Sequence, residues 1–155
     1  MFVRYFVELS LPSDDVEKVL VQDPASWIPG IAGRADERGT ELLTEVGIGA
    51  EHLAHASVAL EFGALLKMPS KTLLPFRWTA VGGGGLLPAL EGDIEVARLG
   101  ANMTQLAVNA QYEPPFGALG RAIDRILMHR VAEATLKDFL DRISETLAER
   151  VHALR

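Results

Sequence analysis

The chain contains no cysteine, and this absence removes several kinds of chemistry at once. Without a thiol there is no disulfide, no thiolate nucleophile and no cysteine-based zinc or iron–sulfur site. Positive charge is also scarce, because 15 Lys and Arg residues face 21 Asp and Glu residues, which gives a net charge of −6. An acidic balance argues against a protein whose main task is to grip phosphate backbones, so the sequence predicts no nucleic-acid partner.

Long apolar runs are missing as well. No stretch approaches the ~18–20 apolar residues of a membrane-spanning helix. The first residues show no basic region followed by an apolar run, which is the mark of a secretory signal. We therefore expect a soluble cytoplasmic protein with no membrane span. Its 155 residues are the length of one domain, which predicts a single domain over residues 1–155 that folds without cross-links.

The N-terminal residues alternate between an apolar and a mixed set, which is the pattern of a β-strand. The apolar set consists of Val3, Tyr5, Val7, Leu9 and Leu11. Pro12 ends this strand, and Ser13 is placed to cap a short helix that ends at Asp23 and Pro24. Residues 25–30 predict a second, very short helical turn.

Period-two alternation returns between Thr40 and Tyr112, in five further segments. One apolar and one polar face is typical of an antiparallel sheet that is covered on one side. In the first of these segments, the residues predicted to share one face are Leu42, Thr44, Val46 and Ile48. The glycines at 82–85 predict a hairpin loop or mobile flap rather than a phosphate cradle, since no Lys-Ser or Lys-Thr pair follows them.

The chain is predicted to be helical from residue 118 to its end, and its apolar residues fall into two groups. At ~100° per residue, the two groups centre roughly 110° apart round the helix. The first group consists of Leu119, Ile123, Ile126 and Leu127, and the second runs from Ala132 to Val151. One straight helix cannot bury both groups against one flat face, which predicts a break or π-bulge near residues 128–131.

This order of elements predicts an α+β fold. We expect a curved antiparallel sheet of about six strands wrapped around a long C-terminal helix, with two short helices after strand one. A straight helix cannot contact a curved sheet along its whole length. A space is therefore expected between the helix and the concave face of the sheet.

Three stretches of the chain resemble a known superfamily. They are the turn Trp27-Ile28-Pro29-Gly30, the segment Tyr112-Glu113-Pro114-Pro115-Phe116-Gly117-Ala118-Leu119-Gly120 and the helical segment Val131-Ala132-Glu133-Ala134-Thr135-Leu136-Lys137-Asp138-Phe139-Leu140. In bacterial members of the START-like superfamily, also called SRPBCC or birch-pollen-allergen-like, similar stretches close the first helical pair, lead into the C-terminal helix and form its body. The resemblance covers nearly the whole chain.

The resemblance implies a helix-grip fold with a deep apolar cavity. Members of the superfamily include lipid and sterol carriers, hormone receptors, polyketide aromatases/cyclases and co-chaperones. They share no catalytic residues that could be carried over to this chain. The resemblance therefore implies a fold and leaves the activity open.

The inward face of the predicted sheet is the strongest pointer to a function. Ligand sites are mostly apolar, with a few placed polar groups. The residues predicted to line such a site are Leu60, Phe62, Leu74, Phe76, Trp78, Leu106, Val108, Tyr112, Leu136 and Leu140. The alternative is a close-packed core with no room for a ligand.

A few polar side chains are candidates within or beside this site. His129 lies on the second helical stripe, where an imidazole could orient a ligand hydroxyl or act as a general base, and Tyr112 is the other catalytic candidate. Arg98 shares the inward parity of its strand and could anchor a carboxylate or phosphate at the cavity mouth. The alternatives are a core histidine bonded to a backbone carbonyl and an exposed arginine at the rim. Tyr5 and Thr104 are minor candidates.

The sequence predicts no cofactor and no metal site. His52 and His55 are three residues apart, and they lack the arrangement in which a general-base Glu stands between two His residues four apart.

These features favour a non-enzymatic module that binds a hydrophobic small-molecule ligand, such as a lipid, isoprenoid or polyketide-like molecule. One alternative is an aromatase/cyclase-type enzyme in which His129 or Tyr112 moves protons. Another is a protein-interaction domain with a degenerate cavity. Phe2 and Phe6 lie on the other face of strand one, and two exposed aromatic rings there would mark a possible homodimer contact.

Overall fold

The computed structural model describes residues 2–45, 57–81, 89–112 and 125–154. Its strands are β1 (Phe2–Leu9), β2 (Ser57–Phe62), β3 (Leu66–Lys67), β4 (Lys71–Val81), β5 (Ala89–Gly100) and β6 (Met103–Tyr112). Its helices are α1 (Ser13–Val21), α2 (Ile28–Glu45) and α3 (Arg125–Ala153), and a 3₁₀ turn at Pro24–Ser26 lies between α1 and α2.

The strands form one antiparallel sheet of six strands in the order β1-β6-β5-β4-β2, with β3 paired to β4. The strand register aligns one residue from each of four strands in a row across the sheet. This row consists of Leu60, Trp78, Leu90 and Tyr112. Because side chains alternate between the two faces of a strand, this row fixes the inward set of each of these strands. The inward set is the apolar set that the alternation predicted.

Two helices follow β1, as expected, but the second is longer than the predicted turn. α2 spans 18 residues and includes residues 40–45, which the alternation of Leu42 and Thr44 assigned to a strand. That assignment was wrong because a helical period dominates the segment: burial recurs every three or four residues, at Ile28, Ile31, Ala35, Gly39 and Leu43. The rest of the predicted strand, with Val46 and Ile48, lies outside the described residues.

α3 is a continuous α-helix of 29 residues, so the break predicted near residues 128–131 is wrong. The prediction assumed that one helix buries both apolar stripes. Ile126 of the first stripe is instead 70% exposed, whereas Met128 and Val131 are buried and extend the second stripe. The helix therefore has no need to unwind. Leu119 and Ile123 lie outside the described residues.

α3 packs on the inward face of the sheet and against α2. The ring centroid of Phe139 lies 5.5 Å from that of Trp78 and 6.0 Å from that of Phe76, with the rings inclined in both pairs. A six-stranded antiparallel sheet on a long C-terminal helix confirms the predicted α+β helix-grip architecture. Within the described ranges, no helix has the combined length and apolarity that crossing a bilayer requires.

Candidate functional site

The residues predicted to line a ligand site form one continuous cluster with α3. Leu60 and Phe62, on the outer strand β2, are half-buried. The remaining members of the predicted set are buried: Leu74, Phe76, Trp78, Leu106, Val108, Tyr112, Leu136 and Leu140. The structure therefore brings the predicted set together, and it adds Phe139 at the centre, where its ring contacts both Phe76 and Trp78.

Three buried side-chain polar atoms have no hydrogen-bond partner among the described residues; one is Nε1 of Trp27, and the other two lie where α3 faces the sheet. These two are the indole Nε1 of Trp78 and the hydroxyl Oγ1 of Thr135, and both residues are 0% exposed. Thr135 lies one helical turn before Phe139, so its side chain is on the same side of α3 as the ring that contacts Trp78. An unpaired buried polar group of this kind destabilises a fold by about 1–3 kcal/mol.

Thr135 was missed in the sequence, although a signal was present. It is the one hydroxyl-bearing residue among buried positions of α3 that are otherwise apolar. A buried threonine in a helix usually donates to the carbonyl oxygen three or four residues earlier. The hydroxyl of Thr135 does not make that bond, so it is available to form a hydrogen bond with a ligand.

The two candidate catalytic residues, Tyr112 and His129, are in contact. The Tyr112 hydroxyl lies 3.2 Å from Nδ1 of His129, and Nε2 of His129 lies 2.7 Å from Oε1 of Glu133. In the tautomer whose Nε2–H donates to Glu133, Nδ1 accepts a hydrogen bond from the Tyr112 hydroxyl. Glu133, which the sequence did not single out, therefore orients the ring.

This group of three runs from the interior to the surface. Tyr112 is 2% exposed, whereas the side chains of His129 and Glu133 are 42% and 56% exposed. Burial raises the pKa of Tyr112 above its ordinary value, and the charge of Glu133 raises it further. Tyr112 is therefore a neutral phenol at pH 7 and acts as a hydrogen-bond donor.

α2 contributes a buried carboxyl group that the sequence analysis also missed. Asp36 is 9% exposed. Its burial raises the pKa of this carboxyl from 3.8 to about 6, with a further contribution from the neighbouring charge of Glu37. The available signal was its position directly after Ala35 on the buried side of the helix.

The remaining candidates lie away from this centre. Arg98 is exposed and lines a shallow groove of about 210 Å³ with residues of α1 and of the β3–β4 turn. Arg98 is eight positions along β5 from Leu90, roughly 26 Å in an extended strand, so it is not brought together with His129. Thr104 donates a 2.6 Å hydrogen bond to the carbonyl oxygen of Leu11, and Tyr5 donates a 2.9 Å bond to Asp141.

Two further predictions cannot be placed. His52 and His55, and the glycines at 82–85, lie outside the described residues. Among the residues that the structure does describe, no group of three or more His, Asp or Glu side chains is arranged to hold a metal ion.

Several solved structures share this architecture. A conserved protein from Geobacillus kaustophilus is 20% identical, with 96% of each chain covered and a TM-score of 0.56. Ara h 8.0201, a Bet v 1-like protein, is 10% identical over 96% of this chain and 98% of its own, with a TM-score of 0.52. The chain has the START-like fold.

A START superfamily protein from Mycobacterium smegmatis is 12% identical, with 99% of each chain covered and a TM-score of 0.48. No family model matches the chain, and no curated protein matches it in sequence. At these identities the START-like likeness extends to the fold alone. The fold does not identify a ligand or a reaction, so evidence for either must come from the residues of this chain.

Proposed function

We propose that the protein binds an apolar small molecule that carries a polar oxygen, between α3 and the inward face of the sheet. The observation that carries the proposal is the pair of unpaired polar atoms, Nε1 of Trp78 and Oγ1 of Thr135, in a setting that is otherwise apolar. A lipid, isoprenoid or polyketide-like molecule combines a large apolar surface with carbonyl or hydroxyl groups.

The chemistry of the two atoms defines the ligand group. An indole N–H only donates, whereas a hydroxyl both donates and accepts. A ligand carbonyl oxygen can accept from the Trp78 N–H or from the Thr135 hydroxyl, whereas a ligand hydroxyl can also donate to Thr135. A few fixed polar groups in an apolar surround are the general pattern of small-molecule sites.

Phe139 is the side chain that a ligand must displace. Its ring stands edge-on to that of Trp78, with 5.5 Å between the ring centroids. A rotation of this ring makes room beside Trp78. The proposal also keeps the cytoplasmic location and the lack of a nucleic-acid partner that the sequence predicts, since an apolar site needs neither a membrane span nor a basic surface.

The test compares two probes of similar size. One is the fluorescent ketone 6-propionyl-2-(dimethylamino)naphthalene, and the other is 2-propylnaphthalene, measured by displacement of the ketone. Trp78→Phe and Thr135→Val should each weaken ketone binding about tenfold and leave hydrocarbon binding unchanged. Trp27→Phe is the matched control, because its indole nitrogen is also buried and unpaired but the ring lies under Arg150, 4.7 Å from its guanidinium carbon.

Two results would refute the proposal. One is that wild type binds neither probe. The other is that Leu106→Trp, which plugs the inward face, binds the ketone as well as wild type does. Native mass spectrometry of the purified protein, followed by solvent extraction, then identifies the natural ligand.

A second function is favoured by the contact between Tyr112 and His129. In an aromatase/cyclase-type reaction, the Tyr112 hydroxyl would donate to a ligand carbonyl oxygen while His129, held by Glu133, takes and returns a proton. Cyclisation of a poly-β-ketone analogue tests this reading. Tyr112→Phe and His129→Asn should each slow the reaction by at least about 100-fold, a larger effect than the loss of one hydrogen bond has on ketone binding. A protein that binds such a ketone and leaves it unchanged is a carrier.

A further inference from the structure

β1 is an outer strand of the sheet. It pairs antiparallel with β6 on one side, and within the described residues no strand pairs with its other side. An outer strand of eight residues presents a row of backbone N–H and C=O groups that can pair with another strand.

The side chains of β1 are incompletely covered on both faces. On the inward face, Tyr5, Val7 and Leu9 are only half-buried, although each lies opposite a fully buried residue of β6, namely Val108, Leu106 and Thr104. On the outward face, Phe2 and Phe6 are 56% and 50% exposed. The apolar surface of β1 therefore extends past the edge of the sheet.

There is also open space beside this edge. A groove of about 540 Å³ lies where β1 meets the first turns of α3, and its walls are formed by Val3, Arg4, Tyr5, Arg130, Glu133, Ala134 and Lys137. An added strand sits ~4.8 Å from the strand it pairs with, so a groove of this kind can admit one.

We propose that β1 pairs antiparallel with β1 of a second copy of this chain, about a twofold axis through Phe6. In this register Phe6 faces Phe6 of the second copy, and Arg4 faces Glu8. On the inward face, Tyr5 lies opposite Val7 and Val3 opposite Leu9. The contact is isologous, so the Arg4–Glu8 pair forms twice.

The sequence of β1 selects this register over its neighbours. A slip by one residue would exchange the inward and outward faces. A slip by two in either direction would pair Phe6 with Arg4 or with Glu8. A slip by four would pair Arg4 with itself or Glu8 with itself. Only the register centred on Phe6 joins opposite charges, and cross-strand pairs of opposite charge stabilise a sheet while like charges destabilise it.

Both charged residues are available for this contact. Glu8 is exposed and makes no ion pair within the described part of the chain. Arg4 is bound on its β6 side by Asn109 and by Glu95, the latter at 3.2 Å. A guanidinium has five N–H donors, so Arg4 can also bind a carboxylate from the other side. This complementarity points to a second copy rather than an unrelated peptide as the occupant.

The absence of cysteine makes the register directly testable. Phe6→Cys places two thiols opposite each other across the twofold axis, within reach of a disulfide. Phe2→Cys is the matched control, since it changes the same residue type on the same face. In the proposed register the two thiols at position 2 are eight residues apart, roughly 26 Å. Under mild oxidation, Phe6→Cys should form a covalent dimer at least about ten times faster than Phe2→Cys.

Sedimentation velocity of the uncross-linked full chain measures the dimer itself. Wild type should dimerise with rising concentration, and Glu8→Arg should raise the dimer Kd at least about tenfold, since it faces Arg4 with a like charge at two places. Glu61→Arg, on the opposite outer strand β2, should leave the Kd unchanged. A monomer at every concentration, faster cross-linking at position 2 than at position 6, or equal effects of the two charge reversals would each overturn the proposal. None of these measurements depends on a bound ligand.

Discussion

The hydroxyl of Tyr112 lies 3.2 Å from Nδ1 of His129, which joins the last residue of β6 to the first turns of α3. Glu133 fixes the other side of the imidazole, with 2.7 Å between the His129 Nε2 and the carboxylate. The contact links a buried phenol to the surface through a half-exposed imidazole. Groups able to exchange protons therefore meet here at the edge of the apolar interior.

The first prediction concerns the phenol of Tyr112. The chain has two tyrosines, so Tyr5→Phe leaves Tyr112 as the only phenol that titrates. In that background the pKa of Tyr112 should lie above its ordinary value, and Glu133→Gln should lower it part of the way back, because burial remains. Phenolate absorbance between pH 8 and pH 12 measures the midpoint. Glu149→Gln, at the exposed end of α3, should leave it unchanged.

The second prediction concerns the pH dependence of stability. The folded protein holds the Asp36 proton more tightly than the unfolded chain does, so stability falls as the pH rises between about 4 and 6. The shift from 3.8 to about 6 corresponds to about 3 kcal/mol of lost stability at pH 7. Asp36→Asn should recover most of this loss at pH 7 and give no gain at pH 3.5. Urea unfolding at the two pH values measures it; an equal gain at both would contradict the burial of a charged carboxylate.

The third prediction concerns Phe139. Phe139→Ala removes the ring between Trp78 and Phe76 and should destabilise the protein by about 3–5 kcal/mol. The space that remains is apolar, so it should bind naphthalene, and the ligand should restore part of the lost melting temperature. Phe139→Leu, which keeps most of the volume, should show a smaller loss and weaker naphthalene binding. Calorimetry with and without naphthalene compares the two variants, and equal rescue of both would argue against a ligand site at Phe139.

The fourth prediction concerns Gly92, where β5 and β6 approach closely. A Cβ at this position would overlap the carbonyl oxygen of Asn109 and stand 2.8 Å from the Cα of Ala110. Gly92→Ala should therefore destabilise the fold by about 3 kcal/mol or more, since backbone atoms must move. Gly33→Ala is the contrasting control, because a Cβ there meets nothing within 4 Å, and in the middle of α2 it should stabilise the protein by about 0.5–1 kcal/mol.

The strands and their inward faces could be predicted because their signal is local. Alternation along β6 assigned Leu106 and Val108 to the interior, and both are 0% exposed. The same rule failed at Leu42 and Thr44, where a strand period over a few residues competed with the longer helical period of α2. The helical stripe that contained Ile126 also failed, since this residue is exposed and apolar character does not by itself require burial.

The first strand, the antiparallel sheet, its apolar inward face and the long C-terminal helix could be predicted from the sequence alone, and so could the candidates Tyr112 and His129. Tertiary structure alone decided that these two side chains touch, that Trp78 and Thr135 keep unpaired polar atoms, and that Asp36 is buried. The physical reason is the range of the interactions. Periodicity reports each residue's average environment along one element, whereas a hydrogen bond or a desolvated charge depends on atoms that distant segments bring together to within a few ångströms.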